Sequence, residues 1–181
     1  MMFYKSSDHL TPVSVEEYHR ISTLLAKEYR ILDEERFSDW LDLLHPEIHY
    51  WMPGIENRRR ENPLEYGFFD SKHMAYFDDA IRDIKRRVSR FSQPSAWAEN
   101  PGTRNVHIVA GIEAFYGEEA GEYCVYSTFQ NIRSRGLDEE YIFSGRRYDT
   151  WSLVDGVLKL KKRLILMPNA TLTCKNINTF I

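Results

Sequence analysis

Residues 97–109 read WAENPGTRNVHIV and gather an acid (Glu99), an amide (Asn100), a base (Arg104) and an imidazole (His107) around a Pro-Gly turn. A carboxylate and an imidazole set inside a cavity can act as general base and acid, and loops between regular elements are where such groups often sit. The same residues also cap a helix, turn a corner and start a strand. Composition alone leaves both readings open. Asp70 and His73 are the other candidates for acid–base work.

Other chemistries find little support. His45 and His49 bracket HPEIH, but Pro46 breaks the helix that would bring residues four apart onto one face, and the order is not that of a zinc HExxH site. A Rieske iron–sulfur centre needs paired Cys/His clusters, and neither Cys124 nor Cys174 has a histidine within three residues. No glycine-rich phosphate loop, GxSxG elbow or CxxC pair occurs.

The elements that must position these groups divide the chain in two. Ser14-Val15-Glu16-Glu17 has the form of a capping box, and Tyr18, Ile21, Leu25, Tyr29 and Leu32 form one apolar stripe behind it. Phe37, Trp40, Leu41 and Leu44 repeat that spacing, which predicts a second helix stopped by Pro46. Ile48, Tyr50 and Met52 then alternate as a short strand ending at Pro53-Gly54. Residues 53–70 lack any period and read as a long excursion. Asp78 is expected to cap a third helix carrying Ile81, Ile84, Val88 and Phe91. From Val106 onward, four long alternating runs separated by GEEAG, RGLD and DG predict antiparallel strands.

Helices first and strands afterwards make an α+β chain, with the helices on one face of a curved sheet. We read residues 1–181 as a single domain: an arm over 1–13, a mainly helical part with a short strand and long loop over 14–93, and the sheet and C-terminal tail over 94–181. The formal charge of −3, with both signs interspersed, gives no footprint for nucleic acid or an anionic membrane. No signal peptide or long apolar run is present, so cytoplasm with reduced thiols is expected. Eleven Tyr, ten Phe and four Trp are a heavy aromatic load, and such residues are enriched at protein interfaces.

The last hairpin defines a register. A two-residue Asp155-Gly156 loop pairs Val154 with Val157, then Leu153 with Leu158 and Trp151 with Leu160, and places Asp149 opposite Lys162 and Arg147 opposite Leu164. On that count Arg147, Asp149 and Lys162 share the inward face, and Arg163 lies on the outer one.

Three stretches together resemble one family: LDEERFSDWLDLLHPEIHYWMP, RRVSRFSQPSAWAENPGTRNVHIV, and FSGRRYDTW followed by LKKRLILM and CKNINTFI. In that order they are similar to the small, or β, subunit of aromatic ring-hydroxylating dioxygenases, from about Val15 to Ile181. Trp97, Ala98, Glu99, Pro101, Arg104 and His107 match the family's common pattern, while Asn105, Val106 and Gly111 depart from it. Met167-Pro168 stand where the family commonly has an Asp.

The resemblance implies a cystatin-like or nuclear-transport-factor-like α+β cone. It also implies a structural role without iron in this chain. The large α subunit would carry a Rieske 2Fe-2S cluster and mononuclear Fe(II) in a three-plus-three hexamer, supplied with electrons by a ferredoxin and a reductase, and would form cis-dihydrodiols from aromatic rings. WAENPGTRNVHIV then becomes a joint. Trp97 packs under the sheet, Glu99 and Asn100 bind backbone amides or Arg104, and Pro101-Gly102 turn into the strand. The competing reading is a free-standing isomerase or dehydratase of the same fold, with a cavity His/Asp pair.

Overall fold

The computed structural model describes residues 9–57, 67–91, 93, 102–137 and 139–181. Helix α1 (Val15–Asp33) opens where Ser14 Oγ accepts the Glu17 amide at 3.2 Å. The Glu17 carboxylate also takes the hydroxyls of Tyr116 and Tyr123, the latter at 2.8 Å, so one residue both caps the helix and fastens it to the sheet. Ile21, Leu25, Tyr29 and Leu32 are buried as their spacing predicts, and Tyr18 at the start of the stripe stays exposed.

Two boundaries differ from the sequence reading. Helix α2 (Phe37–Leu41) is a single short turn of structure, and Leu44 belongs to strand β1 (Leu44–Pro53). There Leu44 pairs with Leu160, and an irregularity before His49 absorbs Pro46, which has no amide to give the ladder. Strand β2 (Ala75–Ala80) is the second difference. Asp78 sits inside it, opposite Trp51, and helix α3 (Ile81–Phe91) starts later without Asp78 as its cap. Two aspartates are poor strand formers, so pairing with β1 overrides local preference here.

Strands β3 (Arg104–Tyr116), β4 (Glu122–Arg135), β5 (Glu139–Val154) and β6 (Val157–Leu166) complete one sheet in the order β2-β1-β6-β5-β4-β3. Every neighbouring pair is antiparallel except β1 with β6. β3 bulges between Ala110 and Glu113, where Gly111 takes φ 59°, and an extra residue on one strand bends a sheet. The helices and the C-terminal segment fill the inner face. Among the described residues no helix is long and apolar enough to cross a membrane.

The β5–β6 hairpin turns as expected, with φ 49° at Asp155 and 80° at Gly156. Val154–Val157, Leu153–Leu158 and Trp151–Leu160 pair as counted. Then a bulge between Thr150 and Trp151 inserts one residue on β6, and beyond it Asp149 lies opposite Arg163 and Arg147 opposite Ile165. Because side chains alternate, a slip of one residue reverses the faces. Lys162 is therefore exposed, and Arg163, expected outside, is wholly buried.

Arg163 is held by two carboxylates. Its guanidinium donates to Asp149 at 2.9 and 2.7 Å and to both Glu28 oxygens at 2.9 Å, while Trp40 Nε1 donates to Glu28 at 3.0 Å. Burial by itself would raise the Glu28 carboxyl, but the Arg163 charge and hydrogen bonds outweigh it and hold the group below its ordinary value. A carboxyl depressed in the folded state contributes stability that is present above its unfolded value, about 4.3, and is lost as pH falls through the folded one.

Two predictions follow from this packing. Glu28→Gln should lower the unfolding free energy at neutral pH by about 3–5 kcal/mol, and the gap from the unaltered chain should narrow below about pH 4, as read from urea midpoints. Gly145→Ala places a Cβ 2.5 Å from the Leu166 carbonyl oxygen and 2.9 Å from the Phe129 ring. The backbone of β6 cannot yield cheaply, so a loss of about 1–3 kcal/mol is expected, seen as a lower midpoint with an unchanged slope.

Candidate functional site

His107 lies on β3, and its side chain is 1 % exposed. Asp33, the last residue of α1, grips it twice: Oδ1 lies 2.6 Å from Nδ1 and Oδ2 accepts the His107 amide at 3.1 Å. The opposite ring nitrogen, Nε2, is 2.8 Å from the Phe180 carbonyl oxygen. Both ring nitrogens are thus engaged by groups of this chain, Nδ1 by a carboxylate and Nε2 by a backbone carbonyl. The Asn131 amide lies 2.9 Å from Nε2, and its Oδ1 is buried without a partner.

A stack of rings and cations continues inward. Tyr29 stacks on His107 at 5.4 Å, and the Arg147 guanidinium lies 4.6 Å from the Tyr29 ring and 4.6 Å from the Phe129 ring. None of the three Arg147 nitrogens has a hydrogen bond among the described residues. The cation is held by two π faces and by the charges of Asp149 and Glu28. Burial, joined by the charge of Arg163, brings it down to about 9 against the opposing pull of the two carboxylates. It remains charged at neutral pH.

The His/Asp pair that an acid–base enzyme needs is therefore present, but it is closed by the chain's own backbone. A proton-abstracting histidine must reach its substrate directly or through one water, and Phe180 stands in that place. The loop pair Asp70–His73 meets at 2.7 Å in solvent, with both side chains well exposed. The histidines of HPEIH part company: His45 accepts the Glu47 amide at 3.0 Å and His49 pairs with Asp78 at 2.8 Å. Among the described residues no three His, Cys, Asp or Glu side chains gather as a metal site. Among the described residues that line a surface groove of about 370 Å³ beside β2, Ile55, Phe69, Met74 and Tyr76 among them, none is a carboxylate, imidazole or thiol.

Of the residues singled out in the sequence, the structure brings Arg147 and Asp149 to the inward face of β5 and His107 to the inner end of β3. Arg104 is exposed at the start of β3, opposite Ser134. Trp97, Glu99 and Asn100 lie outside the described residues. Lys162 does not join Asp149; the bulge gives that place to Arg163. Glu28 was legible in principle, because it interrupts the apolar stripe between Leu25 and Tyr29. Asp33, Asn131 and Phe180 carry no local signal, since long-range packing assembles them.

Comparison with known proteins now has a structural frame. Residues 27–174 match the family model described as ring hydroxylating beta subunit. The chain is 33% identical over 172 residues to the biphenyl 2,3-dioxygenase subunit beta of Rhodococcus jostii, covering 93% of this chain and 91% of that protein. It is 32% identical, with the same coverage, to the benzene 1,2-dioxygenase subunit beta of Pseudomonas putida. Among solved structures it superposes on a chain of naphthalene 1,2-dioxygenase with TM-score 0.80 at 21% identity, covering 93% of this chain and 95% of that one. The beta subunit of benzoate 1,2-dioxygenase from Burkholderia mallei gives 0.67 at 17%, covering 94% and 100%. These likenesses show the expected cone of helices on a curved sheet. The extent of the family match and the identity to curated β subunits decide the matter: the chain belongs to the ring-hydroxylating dioxygenase β-subunit family.

Proposed function

We propose that this chain is the non-catalytic partner of an α oxygenase subunit, that the two form a three-plus-three hexamer, and that the complex works in the cytoplasm on aromatic hydrocarbons. The α subunit holds the Rieske 2Fe-2S cluster and the mononuclear Fe(II) and receives electrons through a ferredoxin and a reductase. The single observation that carries the reading is the closed state of His107: the one buried His/Asp pair among the described residues is spent on holding the fold together. Relatives named for biphenyl, benzene and chlorobenzene support an aromatic ring as the substrate class.

The surface supports an assembly role. Val106 pairs with Ile132 and Ile132 with Ile142, which sets an apolar row across β3, β4 and β5 on the outer face. Val106 is 53% and Ile142 56% exposed. A permanent partnership should bury on the order of 2,000 Å² or more, and such rows make natural centres for it.

Purified alone, the chain should be colourless and free of stoichiometric iron by metal analysis, and it should copurify with the iron-bearing α subunit when the two are coexpressed. Asp149→Ala leaves Arg163 short of one carboxylate, so the yield of hexamer should drop in proportion to the loss of folded β subunit. Activity per mole of intact hexamer should stay at the normal rate. A reduced rate in fully assembled Asp149→Ala enzyme would place the residue in chemistry or electron transfer and overturn the structural role.

A further inference from the structure

The segment after β6, residues 168–181, has no helix or strand, yet its end is among the most buried parts of the molecule. Thr179 is 4%, Phe180 1% and Ile181 0% exposed. The Phe180 ring sits in an aromatic box, 4.3 Å from Trp40, 6.0 Å from Phe37, 6.1 Å from Phe91 and 6.4 Å from Tyr50, with the Arg87 guanidinium 4.7 Å from its centre.

Three successive backbone oxygens of this segment each meet a different donor from a different element. Arg87 of α3 donates to Thr179 O at 3.2 Å, His107 of β3 donates to Phe180 O at 2.8 Å, and the Tyr50 hydroxyl of β1 donates to Ile181 O at 2.6 Å. The Ile181 amide returns a bond to the Tyr50 oxygen at 2.7 Å. Burial pushes the Tyr50 phenol up to about 12, so it keeps its proton and stays a donor.

These donors are oriented by the body of the protein. Asp33 fixes His107 through both carboxylate oxygens, and Asp79 fixes Arg87 at 2.6 Å. Withdrawing the last three residues breaks no strand ladder and leaves an aromatic box with three aimed donors. An apolar enclosure with a few convergent polar groups, each held by a second layer, is how a small-molecule site is built.

We propose that the interior of the cone is a ligand site for an aromatic carbonyl compound, and that Thr179–Ile181 is its resident occupant, a strap that competes with such a ligand. The ring of the ligand takes the place of Phe180, and its carbonyl oxygens take the hydrogen bonds of His107 and Tyr50. This inference is independent of the α partnership and stands or falls on this chain alone.

The test uses a chain ending at Asn178 and the full-length Phe180→Gly variant, with N-acetyl-L-phenylalaninamide as the probe, followed by calorimetry and by tryptophan fluorescence. Once circular dichroism shows the shortened chain folded, it should bind the probe saturably at one site, at least about tenfold more tightly than the intact chain does. Adding Tyr50→Phe to the shortened chain should weaken binding by about five- to tenfold through the lost hydrogen bond. A folded, shortened chain without saturable binding, equal affinity in the intact chain, or no effect of Tyr50→Phe would each overturn the proposal. Should the shortened chain fail to fold, Phe180→Gly decides: saturating probe should raise its melting temperature more than that of the intact chain, and an equal or absent rise refutes the site.

Discussion

Arg163 is buried without exposure and can exist there only because two carboxylates surround it. Removing an arginine from water is expensive, and the cluster repays this through four charge-assisted hydrogen bonds and the field of both acids. Two acids against one base would leave an excess negative charge, which Arg147, buried in the same field, balances. The cluster joins Glu28 of α1, Asp149 and Arg147 of β5 and Arg163 of β6, with Trp40 of α2 closing one side. The helical layer and the sheet are thereby held in one geometry. A greasy core alone would specify it less sharply.

That geometry depends on a single extra residue. Without the bulge at Thr150/Trp151, Arg163 would face solvent and Lys162 would point into the core. Lys162 would bring one ammonium where Arg163 brings a planar fork that matches two carboxylates at once. The bulge is thus the device that selects arginine over lysine for the centre of the molecule. It also adds twist at the point where the sheet must curl around the helices.

A second constraint operates at the other end of the cone. The His107 ring carries the groups of a catalytic base and its orienter, but it is engaged at both nitrogens and stacked on Tyr29. Fold alone does not fix function, so what the groups around this histidine leave open is what counts. Here it faces the backbone of Phe180, and the pair serves to fasten α1, β3 and the C-terminal segment to one another. Membership in a β-subunit family agrees with this use of the interior.

Local patterns carried most of the architecture. The Ser14 cap, the stripe from Ile21 to Leu32, the alternation of the four long strands and the Asp155-Gly156 turn are each dictated by short-range chemistry, and each stands where the sequence places it. The family was likewise legible, because motifs such as SGRRYDTW survive as strings. Tertiary structure decided what strings do not encode. Pairing with β1 made a strand of AYFDDA against its propensity, and pairing with β6 drew Leu44 out of its expected helix. A bulge has no sequence signature of its own, so the exchange of Lys162 for Arg163 arose only when two strands met. The partners of His107 come from Asp33 and from Phe180, 74 and 73 residues away, and no local rule reaches that far. Where burial, charge and register must be satisfied together by distant residues, only the folded chain holds the answer.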